Sequence, residues 1–512
     1  MALTPTAQQQ AIITTARTTQ SNIMVKAFAG CAKTSTVEMM ARALPIRPSL
    51  YVVFNVKNKK EAESRMPTHF NVKTINGLGH EAWGRTIGKR CAVEPDKIGA
   101  ILKDVIKKAG PEYERMSRDN FGEVLRLVRY AKLRGLVPQQ YSDTYHGLIE
   151  DDDDGWEDIC DSLYMEFNEG MIWLAREVLL RDIRMAFEGT IDYDDQIYMS
   201  ALFGGVFTRY AEVILDEAQD LSPLNHMMIA KTAAGRLTVV GDPLQAIYAF
   251  RGADSASMER LRDLRDEWVD LPLSLTFRCP KAVVARQQDH APGFTAYDTN
   301  EEGSIHNFGD REWNIEDVEK IADGKQIAIL CRNNAPLLAC ALRIIKGGRG
   351  CTIMGREIGK TLSNLSKKIF SDDDAPPEVC LALVNNWAER EINLAIANGK
   401  DAHVAIIQDK RECLAAVLES SLCTSAAKCR ELLGVMFDTG NLRITLATGH
   451  KAKGLEWPVV LHLDPWRVPS KYAIAARDNG NPVPYEQDLN LKYVIETRSK
   501  SVLCFANLEP ML

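Results

Sequence analysis

Short apolar, β-branched runs that stop at a polar or glycine-bearing turn recur along the chain: "NIMVKAFAG", "SLYVVFN", "FNVKTIN", "AEVILDEAQD" and "RLTVVGD". Runs with so little alternation fit strands buried on both faces, as in a parallel sheet whose C-terminal tips carry ligand chemistry. A second set follows: "QIAILCR", "LRITLAT", "PVVLHLD" and "KSVLCFAN". Between the third and fourth runs of the first set the pattern turns helical, as in "IGAILKDVIKKAG" and "FGEVLRLVRYAKL". The second set is interrupted by helical or irregular sequence in the same way. The pattern predicts an α/β protein of two parallel-sheet domains, each with an inserted, mainly helical lobe. The first domain is expected over 1–91 and 191–275 with its lobe at 92–190, and the second over 276–350 and 439–512 with a smaller lobe at 351–438.

Composition narrows the class. A chain of 512 residues is too long for one core, and 46% hydrophobic with 26% charged residues is a soluble, globular balance with no run long enough to cross a bilayer. The opening "MALTPTAQQQ" has neither the basic start nor the apolar stretch of a signal peptide, so a cytoplasmic chain is expected. Twelve cysteines without a C-x-x-C pair argue against zinc ribbons, iron–sulfur clusters and redox dithiols, and read as reduced packing thiols. A formal charge of −7 gives no global reason to expect nucleic acid, but a local basic groove can coexist with acidic segments such as Asp151–Gly155.

The chemistry concentrates at two strand tips. "AFAGCAKT" leads from a strand through a tight turn into a helix, where backbone N–H groups converge on phosphate, Lys33 adds a point charge and Thr34 a hydroxyl for Mg²⁺. The pattern G-x-x-x-x-G-K-[ST] wants glycine where Ala27 and Ala32 stand. A left-handed Ala32 would cost on the order of 1–2 kcal/mol, which many phosphate contacts can offset. "VILDEAQDLS" puts Asp216 and Glu217 at the end of an apolar strand, one carboxylate to hold a metal and one to activate water. "GREIGKTL" from Gly355 offers a second Gly-Lys-Thr, but its spacing is one residue short and it reads as the start of a helix.

With these motifs the sequence resembles superfamily 1 helicases of the UvrD/Rep type, including the F-box DNA helicase branch and phage-encoded relatives. "LTPTAQQQAII" is similar to the family's Q motif, "YVVFNVKNKKEAESRMP" and "VKTINGLGHEAW" to motifs Ia and Ib, and "DEAQD" to motif II. "VVGDPLQAIYAFRGAD" matches motif III throughout, "SLTFRCP" resembles motif IV, "TLATGHKAKGLEWPVV" motif V and "EQDLNLKYVIETRSKSVL" motif VI. Phe28, Ala32 and Asn490 stand where the family has glycine, glycine and arginine.

The resemblance implies two RecA-like motor domains that use ATP and Mg²⁺ to move along single-stranded DNA, 3′ to 5′, and to open single-strand/duplex junctions. Ala29, Gly30, Cys31, Ala32, Lys33, Thr34 and Ser35 would cradle phosphate, Thr34 and Asp216 would hold the metal, and Glu217 would polarise water. Arg278 and Arg498 would neutralise developing charge and Gln245 would sense the γ-phosphate. Adenine would stack on Phe277 with Gln8, or Gln9 in the alternative register, reading its edge, and Glu456 would meet the ribose. Phe54, Tyr248 and Phe250 are the expected stacking residues for DNA, with Arg251, Thr74, Asn76 and His450 near its backbone. A monomer without a membrane partner is expected, loaded by a replication or recombination protein. Two other readings compete: an ATP-impaired DNA-binding protein of recombination control, and a helicase–nuclease fusion, for which the few residues after Arg498 leave no room.

Overall fold

The computed structural model describes residues 4–163, 165–247, 256–397, 401–437 and 442–512. The chain forms two compact units, the first from residues 1–27, 32–243 and 248–273, the second from 28–31, 244–247 and 274–512.

In the first unit the strands are β1 (Asn22–Ala27), β2 (Ser49–Val53), β3 (Phe70–Thr74), β4 (Ala92–Val93), β5 (Thr190–Ile191), β6 (Tyr210–Leu215), β7 (Ala233–Gly241) and β8 (Trp268–Leu273). Six of them make one sheet in the order β3-β2-β6-β7-β1-β8, parallel throughout. The central strands are buried along nearly their whole length, which is why they read as unbroken apolar runs. β4 and β5 pair as a separate two-stranded ribbon at the base of a helical excursion containing Lys97–Ala109, Pro111–Arg134, Asp153–Leu163 and Glu169–Phe187. The excursion shares its core with the sheet: Leu50, Val213 and Leu237 belong to the same apolar cluster as Ile98, Trp156 and Leu179.

A buried charge cluster pins this excursion. Lys97 Nζ lies 2.7 Å from Asp195 Oδ2 and 3.0 Å from Asp182 Oδ1. Lys132 Nζ lies 3.0 Å from Asp182, 2.9 Å from Asp192 and 2.6 Å from Asp195. Burial pushes the Asp182 carboxyl up to about 7, with Lys132 opposing. Burial acts on Asp195 too, but Lys132 and Lys97 overcome it and hold that carboxyl down at about 2.

The second unit has β9 (Leu275–Thr276), β10 (Thr295–Ala296), β11 (Ser304–Gly309), β12 (Ile327–Cys331), β13 (Cys351–Ile353), β14 (Ile444–Thr448), β15 (Trp457–Leu463) and β16 (Ser499–Ala506). The last six form a sheet in the order β11-β16-β15-β12-β14-β13, again parallel. One boundary needs correction. Residue 351 does not open the second lobe, because Cys351–Ile353 pair with Ile444–Leu446 as an edge strand of the sheet. The helices that follow are Arg356–Ile369, Pro377–Ala397, Asp401–Leu418 and Ala426–Met436. Gly355, at φ +125, precedes the first of them, so "GREIGKTL" is a helix start as read from its spacing. Among the described residues no helix is long and apolar enough to cross a membrane.

Candidate nucleotide-binding site

In the first unit β6, β7 and β1 are neighbours, with Leu215 opposite Val239 and Lys26 opposite Gly241. The residues just past their C-terminal ends therefore come together, the position where parallel sheets bind ligands. Lys33, first residue of the Lys33–Ala43 helix, places Nζ 3.1 Å from Glu217 Oε1. Burial disfavours its ammonium, but Glu217, Asp242 and Asp216 outweigh that and raise its pKa. The Asp216 carboxyl is pushed up to about 6 by burial and by Glu217, while Lys33 opposes, and it accepts a 2.7 Å hydrogen bond from Tyr51. Glu217 Oε2 accepts from Gln219 Nε2 at 2.6 Å, and Gln219 Oε1 accepts from the Asp242 N–H at 3.0 Å. Three carboxylates around one ammonium leave excess negative charge in a partly buried place. That donor set, with Thr34 beside it, fits a divalent cation.

Backbone strain gathers at the same tips. Ala32 sits at φ 54, ψ 41 and Glu217 at φ 52, ψ 41, both left-handed, conformations that persist in non-glycine residues where the surroundings enforce them. Ala32 thus adopts the conformation for which the motif uses glycine. Its carbonyl accepts from Thr36 Oγ1 at 2.9 Å, and Thr36 in turn accepts from Gln9 Nε2 at 3.0 Å. Gln9 also closes a capping box with Thr6, so its amide is spent on structure, while Gln8 is half-buried beside it. Ser35 is half-buried in the first turn of the helix.

In the second unit, the loop residues 28–31 meet segment 276–278. The Ala29 N–H donates to Tyr493 Oη at 2.8 Å, and the Gly30 carbonyl accepts from the Phe277 N–H at 2.9 Å. A Cβ at Gly30 would fall 2.6 Å from both Arg278 Cβ and Thr276 Oγ1, at φ +71, so glycine is required there. Cys31 is buried and its thiol donates to the Ala29 carbonyl at 3.8 Å. Burial opposes the Arg278 charge, yet Cys279 and Glu456 nearby raise its pKa. Its Nη1 lies 3.6 Å from Glu456 Oε2, whereas its buried Nε has no hydrogen-bond partner among the described residues. An orphaned guanidinium N–H beside the loop suits an oxyanion. Glu456 also pairs with Lys500 at 2.9 Å.

Phe277 is 41% exposed and Tyr297 38%, with ring centroids 4.9 Å apart, an open aromatic surface on which a base can stack. Nothing in the sequence singled out Tyr297. Gln245 is gripped by side chains of the same unit: its carbonyl accepts from Lys453 Nζ at 2.5 Å and its Oε1 from Arg498 Nη2 at 3.5 Å. Arg498 is buried, with Nε donating to the Val494 carbonyl at 2.9 Å.

Back in the first unit, the tips of β2 and β3 carry the predicted DNA residues. Phe54 is 48% exposed and so is no core residue. Thr74 caps the next helix, accepting from the Gly77 N–H at 3.1 Å, and Asn76 Nδ2 donates to the Tyr193 carbonyl at 2.9 Å. Tyr193, 58% exposed, adds an aromatic that the sequence reading passed over. His450 is half-buried on the short Gly449–Ala452 helix after β14 in the second unit. Tyr248, Phe250 and Arg251 lie outside the described residues.

Residues 97–265 match the family model of the UvrD/REP helicase N-terminal domain. The chain is 24% identical to F-box DNA helicase protein 1 of Schizosaccharomyces pombe, over 97% of this chain and 57% of that protein. It is 24% identical to F-box DNA helicase 1 of Gallus gallus, over 96% of this chain and 48% of that one. With the ATP-dependent DNA helicase UvrD2 of Mycobacterium tuberculosis the identity is 26%, over 57% of this chain and 46% of that protein. The chain thus spans about half the length of these curated relatives. Two six-stranded parallel sheets and these matches agree on one likeness: the chain is similar to the UvrD/Rep type of superfamily 1 helicases, with F-box helicase-like character.

Proposed function

We propose that this chain is an ATP-driven DNA translocase and helicase that moves 3′ to 5′ on single-stranded DNA. The observation that carries the reading is Lys33, half-buried and charged among Glu217, Asp216 and Asp242 at three adjoining strand tips. A solvated strand end has no reason to gather those groups or to hold Glu217 in a left-handed backbone.

Lys33 and the loop N–H groups bind the phosphates, and Thr34 with Asp216 would hold Mg²⁺, which would supply positive charge to the phosphates. Glu217, aimed by Gln219, takes the proton of the attacking water. Arg278 and Arg498 neutralise charge on the transferred phosphoryl group, and Gln245 senses the γ-phosphate. Phe277 with Tyr297 stacks the base, Gln8 reads its edge and Glu456 contacts the ribose. Phe54, Tyr193 and Phe250 stack DNA bases in a sequence-tolerant way, with Thr74, Asn76, Arg251 and His450 at the backbone. The protein works as a monomer on single strands and junctions, loaded by a replication or recombination partner.

Streptavidin displacement from end-biotinylated single strands tests this. ATP-dependent displacement from the 5′ end, faster than from the 3′ end, is expected. Equal, ATP-independent release at both ends would support the ATP-impaired reading.

A further inference from the structure

His290 belongs to no motif, and Asn490 stands where the family pattern has arginine. In the second unit the two touch. Asn490 Nδ2 lies 3.3 Å from the Ala246 carbonyl, a group that can only accept. The amide is therefore turned with Oδ1 toward His290, 3.1 Å from its Nε2. Oδ1 too can only accept, so His290 carries a proton on Nε2. Burial lowers the His290 pKa, against the pull of the Asn490 hydrogen bond, so the ring is neutral at pH 7. The same ring packs 5.9 Å from that of Tyr493, whose hydroxyl accepts from the Ala29 N–H at 2.8 Å. Phe294 completes the packing, 6.2 Å from Tyr493 and 5.5 Å from Phe28. Contacts thus run without a gap from Ala29 through Tyr493, His290 and Asn490 to Ala246.

We propose that His290 and Asn490 are positioning residues that fix the Gln245–Ala246 turn against Tyr493, and so against the phosphate-loop residue Ala29. The turn holds the γ-phosphate sensor and leads directly into Tyr248, Phe250 and Arg251, the expected DNA contacts. Its placement ties DNA engagement to turnover. The pair is chemically matched: the amide offers a donor toward Ala246 and an acceptor toward the Nε2–H of His290.

This inference rests on the reading under Proposed function. The test is the ratio of DNA-stimulated to unstimulated ATP turnover, with KM for ATP and melting temperature, in the full chain. Asn490→Asp keeps the acceptor and the shape but turns a carboxylate on the Ala246 carbonyl, and His290→Ala removes the donor. Each should lower the ratio about fivefold, the size of one hydrogen bond, through kcat and not KM. His290→Gln, which still offers an N–H, should restore it. A wild-type ratio in Asn490→Asp, or an equal fall in His290→Ala and His290→Gln, would overturn the proposal. If the wild type turns over no ATP, the sensor reading itself fails; if it does and Asn490→Asp matches it, only the role of the pair fails.

Discussion

Ala32→Gly separates a strained, working phosphate loop from an ordinary turn by the sign of its effect. Ala32 holds φ 54, ψ 41, a conformation that costs a residue with a Cβ roughly 1–2 kcal/mol and glycine nothing. Glycine loses about 0.5–1 kcal/mol more in chain entropy on ordering. The difference, about 0 to 1.5 kcal/mol in favour of the variant, is what the substitution should return. Strain borne by the folded chain before nucleotide arrives will show as stability, and strain borne only on binding will show as affinity. Denaturant unfolding and titration with a fluorescent ATP analogue, run side by side, capture both, and ATP turnover should persist. Gly30→Ala is the counterpart: its Cβ would meet Arg278 Cβ and Thr276 Oγ1 at 2.6 Å in a left-handed backbone, so turnover should fall steeply. If Ala32→Gly destabilises by about 0.5–1 kcal/mol, as glycine does at an unstrained site, or if Gly30→Ala is tolerated, the loop geometry argued here is wrong.

Phe54→Ala should weaken single-stranded DNA binding by roughly 1–3 kcal/mol, one lost stack, with melting temperature unchanged; a large drop in melting temperature with intact binding would make Phe54 a packing residue. Lys132→Met leaves Asp182 and Asp195 with Lys97 alone and takes from Asp192 its ammonium, and should cost about 3–5 kcal/mol of stability in denaturant unfolding, the usual result of breaking a buried ion cluster. Asp182 should also make stability depend on pH. Its carboxyl titrates near 7 in the folded chain but near 4 when unfolded, so only the folded state keeps the proton in that window. Its contribution is complete below about pH 4 and is lost as pH rises toward 7. The stability of wild type relative to Asp182→Asn should therefore decline across that range, and a difference independent of pH would refute the assignment.

Much of the fold could be read from the sequence because the central strands of both sheets are buried on two faces and leave unbroken apolar runs. β8, β11 and β13 escaped notice for the complementary reason. All three are edge strands, and their half-exposed burial patterns leave no such run. Lys33, Asp216 and Glu217 were legible as neighbours because charged residues just past unbroken apolar runs lie at the tips of buried strands, and the left-handed Ala32 followed from the motif's demand for glycine. A readable signal at the Q motif was missed. Thr6 and Gln9 have the spacing of a capping box, which assigns Gln9 to helix structure and leaves Gln8 as the residue proposed to read the base. The other contacts had no local signature. Tyr297 packs at a tilt against Phe277 from 20 residues away, and His290 meets Asn490 across 200, distances over which one sequence carries no pairing information.

Phosphate release with and without single-stranded DNA, in wild type and Glu217→Gln, decides whether this chain is a DNA-driven ATPase. ATP hydrolysis should rise on adding DNA, and the variant should still bind ATP while turning it over about 10² to 10⁴ times more slowly, as loss of a general base requires. No DNA-stimulated release by the wild type, or wild-type turnover by Glu217→Gln, would contradict the proposed function.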